Sequence, residues 1–285
     1  VGIQLFGRAI AVDVGGISIA SAATKTGIAE TLRVKFKVVR SLPREPNTAQ
    51  LEIYNLTKDN RAALQESGIP LLLQAGYTEN LSQIFGGAVE HTTNLLNGRD
   101  WVSAIQGSDG GVAFRTARIN TSLEGPAQVG DVLQAASDAL GIDPGNIAEK
   151  VRDGSIRGAL TEFVNGVVLS GKAEQQLDKV VKSMGYSWSI QDGKFQLLGP
   201  EETLGDQAFL LTTATGLVGI PEAGEDGLVK ARSLLQPEIL PGKLVELQAE
   251  SLDAVNGAYR VEKATFIGDT WGNDWYVDIE GKPIG

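Results

Sequence analysis

Ser233–Gly281 reads SLLQPEILPGKLVELQAESLDAVNGAYRVEKATFIGDTWGNDWYVDIEG, and its periodicity decides the class of fold. Three runs, 243–249, 258–267 and 274–279, alternate apolar and polar residues, the period-two mark of half-buried strands. Tyr259 and Val261 carry the pattern in the second run, and Trp275, Val277 and Ile279 carry it in the third. Asn256-Gly257 supplies one turn and the run Gly268 to Asn273 another. A β-meander is expected here, with Trp275 facing the core and Trp271 held out in the last turn.

Working outward, Ala208 to Thr213, Leu217 to Pro221 and Leu228 to Leu235 bring the third segment, 201–285, to about six strands. The first segment, 1–119, is also β-rich, with candidate strands at 3–14, 31–39, 49–54, 70–77, 83–90 and 101–106. Between the third and fourth of these, TKDNRAALQE opens with a capping Thr57 and an early Asp59, and Gly68 and Pro70 end it, so a short helix is predicted. The middle segment, 120–200, changes period. Val132, Leu133, Ala136 and Leu140 share one helical face, as do Leu177, Val180, Val181 and Met184. Gly141 and Gly185 stop these two helices. Asp192-Gly193 then joins strands 186–191 and 194–198 in a hairpin. The expected architecture is mainly β with an α+β insertion: two similar tube-like β-barrel or sandwich domains flanking a small α+β domain.

Composition removes several function classes. The sequence has 285 residues and 42% apolar content, enough for real cores. It has no Cys and one His, so disulfides, thiolate metal sites, multi-His sites and thiol nucleophiles are excluded. No apolar run approaches the ~20 residues that span a bilayer, and no signal-peptide pattern precedes Arg8. The net charge of −10 argues against a surface built to grip nucleic acid.

Specific words inside the meander carry more. Pro241-Gly242 before a strand, then Gly257-x-Tyr259-Arg260-Val261, then Gly268-Asp269-Thr270-x-Gly272-x-Asp274-Trp275, resemble the closing segment of baseplate and tail hub proteins of contractile-tailed bacteriophages. Leu32 to Leu64, with Asn55-Leu56 and Arg61 at the helix opening, is similar to the start of that family. GKAEQQLDKVVKSMGYSWSIQDGKFQLL is similar to its inserted domain. The resemblance implies a structural part with no catalytic, cofactor or metal site. It implies a homotrimer whose six β-domains form a pseudo-sixfold ring, joining a sixfold tail tube to a threefold central spike within a virion baseplate assembled in the host cytoplasm. Other baseplate proteins are implied as neighbours, and DNA as a passing, non-specifically handled polyanion. The channel wall is expected to carry an excess of Asp and Glu, which repels phosphates. The sequence ends soon after the third segment, so the spike is expected to attach without an extra C-terminal domain. A distal tail or tube-terminator protein is the alternative reading, and a glycan-degrading tail component another.

Candidate contact residues follow. Arg33, Lys35 and Lys37 alternate along one strand face opposite Leu32, Val34, Phe36 and Val38, giving either a subunit-interface stripe or a solvated, lysine-guarded edge. Trp271 in its turn is the second interface candidate. His91 is expected at a strand end, with Ser103, Ser108 and Asp109 nearby in sequence but no Gly-x-Ser-x-Gly elbow. Asp269, Asn273 and Asp274 lack the ligand ladder of a calcium loop. Glu201-Glu202, Glu222 and Glu225-Asp226 fall in loops, and Gly219 to Gly227 is expected to be a flexible loop.

Overall fold

The computed structural model describes residues 7–24, 27–28, 32–42, 45–111, 116–152, 156, 162–163, 165–205, 207–224, 226–250 and 252–284. The fold is mainly β, with most of its helix in one insertion. In chain order the first strands are β1 (Arg8–Val14), β2 (Ile17–Thr24), β3 (Gly27–Ile28), β4 (Val34–Ser41) and β5 (Thr48–Tyr54). Helix α1 (Lys58–Ala63) leads to β6 (Pro70–Tyr77), β7 (Asn80–Asn97) and β8 (Asp100–Ser108). The insertion holds β9 (Arg118–Leu123), β10 (Ala127–Gln128), α2 (Val129–Leu140), α3 (Ile147–Arg152), β11 (Glu162–Phe163), β12 (Val167–Lys172), α4 (Ala173–Ser183), β13 (Ser187–Gln191) and β14 (Lys194–Leu198). The chain closes with β15 (Ala208–Leu211), β16 (Leu217–Ala223), β17 (Val229–Leu234), β18 (Leu244–Leu247), β19 (Gly257–Asp269) and β20 (Trp275–Pro283).

Two compact units result. One comprises Val1–Ser41, Asn47–Ser108 and Thr203–Gly285; the other comprises Leu42–Pro46 and Asp109–Glu202. Among the described residues of the first unit a 14-stranded sheet runs β16-β17-β20-β19-β4-β5-β8-β7-β6-β1-β2-β3, with β18 branching from β19 and β15 parallel to β18. The link between early and late strands is the antiparallel pair β4–β19, with Lys37 opposite Ile267 and Lys35 opposite Asp269. Alternation explains why these strands form. Val34, Phe36 and Val38 of β4, Ala49, Leu51 and Ile53 of β5, and Trp275, Val277 and Ile279 of β20 all point into one core. Trp275 meets Phe36 edge-on at 5.5 Å and donates its indole N–H to the Gly76 carbonyl at 3.2 Å. Position 268 needs Gly, since a Cβ there would lie 2.3 Å from the Phe36 ring.

The second unit has its own core. Val132, Leu133, Ala136 and Leu140 of α2 pack with Leu177, Val180 and Val181 of α4 and with Trp188, Phe195 and Leu197 of the β13–β14 hairpin. Gly141 at φ 67° closes α2, and Asp192 (φ 53°) with Gly193 makes the hairpin turn. Lys150 is buried against the Glu202 carboxylate and the Tyr186 ring.

Several sequence expectations shift. A strand, Ile17–Thr24, follows the Gly15-Gly16 turn where none was expected, and pairs with β1. The start of the first expected strand (Ile3 to Phe6) lies outside the described residues, as does Thr31. Strand β7 runs on to Asn97 rather than stopping at Glu90, because a bulge between Val89 and His91 resets its register against β8. The expected loop over Gly219 to Gly227 is strand β16 as far as Ala223.

Candidate functional site

Register places one set of side chains on the face of the sheet away from the core. On β4 and β5 these are Lys35, Lys37, Gln50 and Glu52; on β8, Ala104 and Gln106; on β19, Lys263 and Ile267; on β20 and β17, Asp278, Glu280, Lys230 and Arg232. Its cations are largely matched. Arg33 holds Asp269 at 2.6 Å, Arg232 holds Asp278 at 2.6 Å, Lys263 holds Glu280 at 2.9 Å, and Lys35 lies 3.8 Å from Glu52. Lys37 and Lys230 pair with no carboxylate among the described residues. A cleft of 390 Å³ runs over this face, lined by Lys37, Gln50, Gln106, Ile267, Asp269 and Asp274 among others.

Asp269 is the hub of the local electrostatics. Its carboxylate accepts from Arg33 Nε at 3.1 Å and Nη2 at 2.6 Å, and from the Trp271 backbone N–H at 3.0 Å. Burial pushes this carboxyl up, but the Arg33 fork and the N–H groups of Trp271 and Gly272 outweigh it and hold the group below the usual aspartate range. The same hydrogen bond raises Arg33 further above the physiological range. Tyr54 lies beneath both cations, 5.0 Å from the Arg33 guanidinium and 5.7 Å from the Lys35 ammonium. This arrangement presents paired charges along a polar sheet face.

The residues singled out in the sequence separate into two sets. Arg33, Lys35 and Trp271 converge around Asp269, where Arg33 is committed to that partner and Trp271 is 66% exposed. Lys37 stands one outward position further along β4. The others go elsewhere. His91 sits inside β7, not at a strand end, and its Nε2 lies 2.9 Å from the Thr93 hydroxyl. Ser103 is buried and donates to Asn94, Ser108 donates to Glu90, and Asp109 accepts from the Gly193 N–H. Glu202 serves Lys150 and the Gly199 N–H. Glu225 lies outside the described residues. Among the described residues no group of three His, Asp or Glu side chains is placed to hold a metal ion.

One surface escaped sequence reasoning. The tip of the β7–β8 hairpin exposes Leu95 at 58% and Leu96 at 60%, and Trp101 lies across from Leu96. The tip is pinned. Asn55 donates to Asp100 at 2.9 Å and accepts from the Trp101 N–H at 3.0 Å, and the Arg61 guanidinium lies 4.2 Å over the Trp101 ring. Asn97-Gly98 between apolar residues was the available signal.

No family model matches the chain, and no curated protein matches it. Solved structures do. The chain is similar over 98% of its length to 98% of the prophage MuSo2 43 kDa tail protein from Shewanella oneidensis, at 10% identity and TM-score 0.67. It is similar over 97% to 97% of the tail protein from Neisseria meningitidis MC58, at 9% identity and TM-score 0.64. It also matches over 96% of its length, and 77% of theirs, the E. coli c3393 protein, a type VI secretion component described as structurally similar to T4 bacteriophage tail proteins gp27 and gp5; there the identity is 10% and the TM-score 0.62. The shared feature is the fold.

Proposed function

We propose that this chain is a structural hub of a contractile phage tail, or of a phage-derived injection machine. Three copies close a pseudo-sixfold ring that joins a sixfold tube to a threefold spike and lines the ejection channel. The observation that carries the reading is end-to-end likeness to tail proteins, over 98% of both chains in one case. The type VI component's described similarity to gp27 and gp5 supports placing the chain where tube and spike meet. In this reading, 1–119 and 201–285 are the two tube-like domains and 120–200 the inserted one. A ring of six equivalent positions from three chains needs such internal duplication. The chain acts by geometry and catalyses nothing.

The polar sheet face fits a channel wall. Four of its cations are already neutralised by carboxylates, so passing phosphates find few free charges to hold them. An excess of Asp and Glu along the wall is expected. Mass photometry of the chain with its tube and spike partners tests the reading: a trimer is expected. A hexamer would point instead to a distal tail or tube-terminator protein, and imaging that showed an Arg-lined channel would remove the proposed wall.

A further inference from the structure

We infer that the β7–β8 hairpin tip of one copy seats against the β15–β16 region of a second copy of this chain, head to tail. The inference rests on the ring reading and names its contact. Both surfaces are apolar and exposed; Arg61 and Arg99 outnumber Asp100 at the first, and Glu222, with Lys230 across from it, stands beside the second. At the tip, Leu96 lies opposite Trp101 on one face of the hairpin and Leu95 is exposed on the other, with Arg61 stacked on the indole and Arg99 and Asp100 at the turn. Arg99 pairs with no carboxylate among the described residues. At the other surface, Leu210, Val218 and Ile220 are exposed on the two strands that flank the turn Thr212–Gly216, and Ile220 reaches 64% exposure. Glu222 stands two residues beyond Ile220, also without an ion-pair partner among the described residues.

The charge asymmetry extends over whole segments. Residues 1–119 hold 12 Lys and Arg against 10 Asp and Glu, whereas 201–285 hold 6 against 15. Alternating a slightly basic segment with a strongly acidic one around a ring keeps acidic segments from lying side by side, where their mutual repulsion is largest. The two surfaces are six positions apart in sheet order, β16 to β8, so the contact joins different patches of identical chains. Such a heterologous contact closes into a ring when its rotation permits.

The strand edge itself argues for side-chain seating over strand addition. Strand β16 pairs only with β17 among the described strands, and its register jumps between Val218 and Glu222. That bulge contains Gly219 at φ 75° and Pro221, which has no N–H to offer a neighbouring strand. The bulge blunts the edge and leaves Ile220 as an apolar seat. Trp101 and Arg61 at the tip are the residue types that dominate interface energetics.

The absence of Cys gives a clean background for crosslinking. In the full chain, L96C together with I220C, treated with a short bismaleimide, is expected to give chain-to-chain ladders ending at trimer. Leu96→Asp and Ile220→Asp are each expected to weaken assembly at least tenfold by mass photometry, with unchanged circular dichroism and melting. Val168→Asp, an exposed change in the other unit, is the control and leaves assembly intact. Reversing both charges, Arg99→Glu with Glu222→Lys, is expected to restore what either reversal alone weakens. Trimers that persist in both aspartate variants without crosslinks overturn this contact while sparing the ring. A chain that stays monomeric at every concentration, and with tube and spike added, overturns both.

Discussion

Replacing Asp269 by Asn keeps the side chain's size but removes the charge that organises the start of β4 and the β19–β20 turn. One Asn oxygen can still accept, yet its amide group faces the Arg33 fork, donor against donor. Of the two charge-assisted bonds, at 3.1 and 2.6 Å, one is lost and the other keeps only a neutral acceptor, with Asp269 nearly buried and the Arg33 side chain 31% exposed. Hydrogen bonds to charged groups are worth about 1.5–3 kcal/mol in general. Discounting for the solvent that reaches Arg33, a loss of about 1–2 kcal/mol is expected. For a chain of this size that lowers Tm by roughly 2–6 °C. The pH dependence has a definite sign. The Asp269 carboxyl is held below its ordinary value, so its contribution is complete above the unfolded aspartate range of about 4 and is lost as pH falls through the lower folded value. Urea titrations of wild type and Asp269→Asn should therefore differ at pH 7 and converge towards pH 3. A double-mutant cycle with Arg33→Met should show coupling of about 1 kcal/mol. Additive single effects, or a gap that stays constant down to pH 3, would refute the ion pair as the cause.

Other outcomes follow from the packing. Trp275→Ala should cost about 3–5 kcal/mol, since it empties the contact with Phe36 and orphans the Gly76 carbonyl; chemical denaturation reads it. Gly268→Ala should destabilise by about 1–3 kcal/mol despite adding a single methyl, because the new Cβ meets the Phe36 ring, and Phe36→Leu should relieve part of that cost. Burial pushes the Tyr77 phenol up to about 12 and raises that of Tyr259 as well, so an ultraviolet titration should show a late-ionising step that Tyr77→Phe removes. The neutral form is favoured in the fold, so stability from this site is full below the unfolded range of about 10 and falls as pH rises through and beyond it.

Local grammar was legible in the sequence. Helix α2 starts and stops at the residues expected, because its apolar face and Gly141 are set by neighbours within a few positions. The Asp192-Gly193 hairpin and strand 70–77 were legible for the same reason. Partnership was not legible. Nothing near Phe36 announces that Phe266 and Trp275 share its core, or that β15 runs parallel to β18, because those contacts are settled by which segments meet in three dimensions. Strand β2 was missed because ISIASAAT is rich in small residues and alternates weakly. The site was half legible: alternation showed the Arg33, Lys35 and Lys37 stripe, but not that Asp269, distant in the chain, already occupies Arg33. The Leu95-Leu96 tip was missed because polar residues 90–94 read as a strand end, while the bulge carries the strand on beyond them.

The pairing of β4 with β19 sets a clock on the molecule's birth. Lys37 meets Ile267 across 230 residues of intervening chain, and at about 5–20 residues per second a ribosome takes roughly 10–45 s to make that stretch. Throughout that interval Val34, Phe36 and Val38 have an unpaired strand edge on one side. A nascent chain that stalls or terminates early cannot complete the sheet. Any chain that stops before β19 carries an open, aggregation-prone edge along β4.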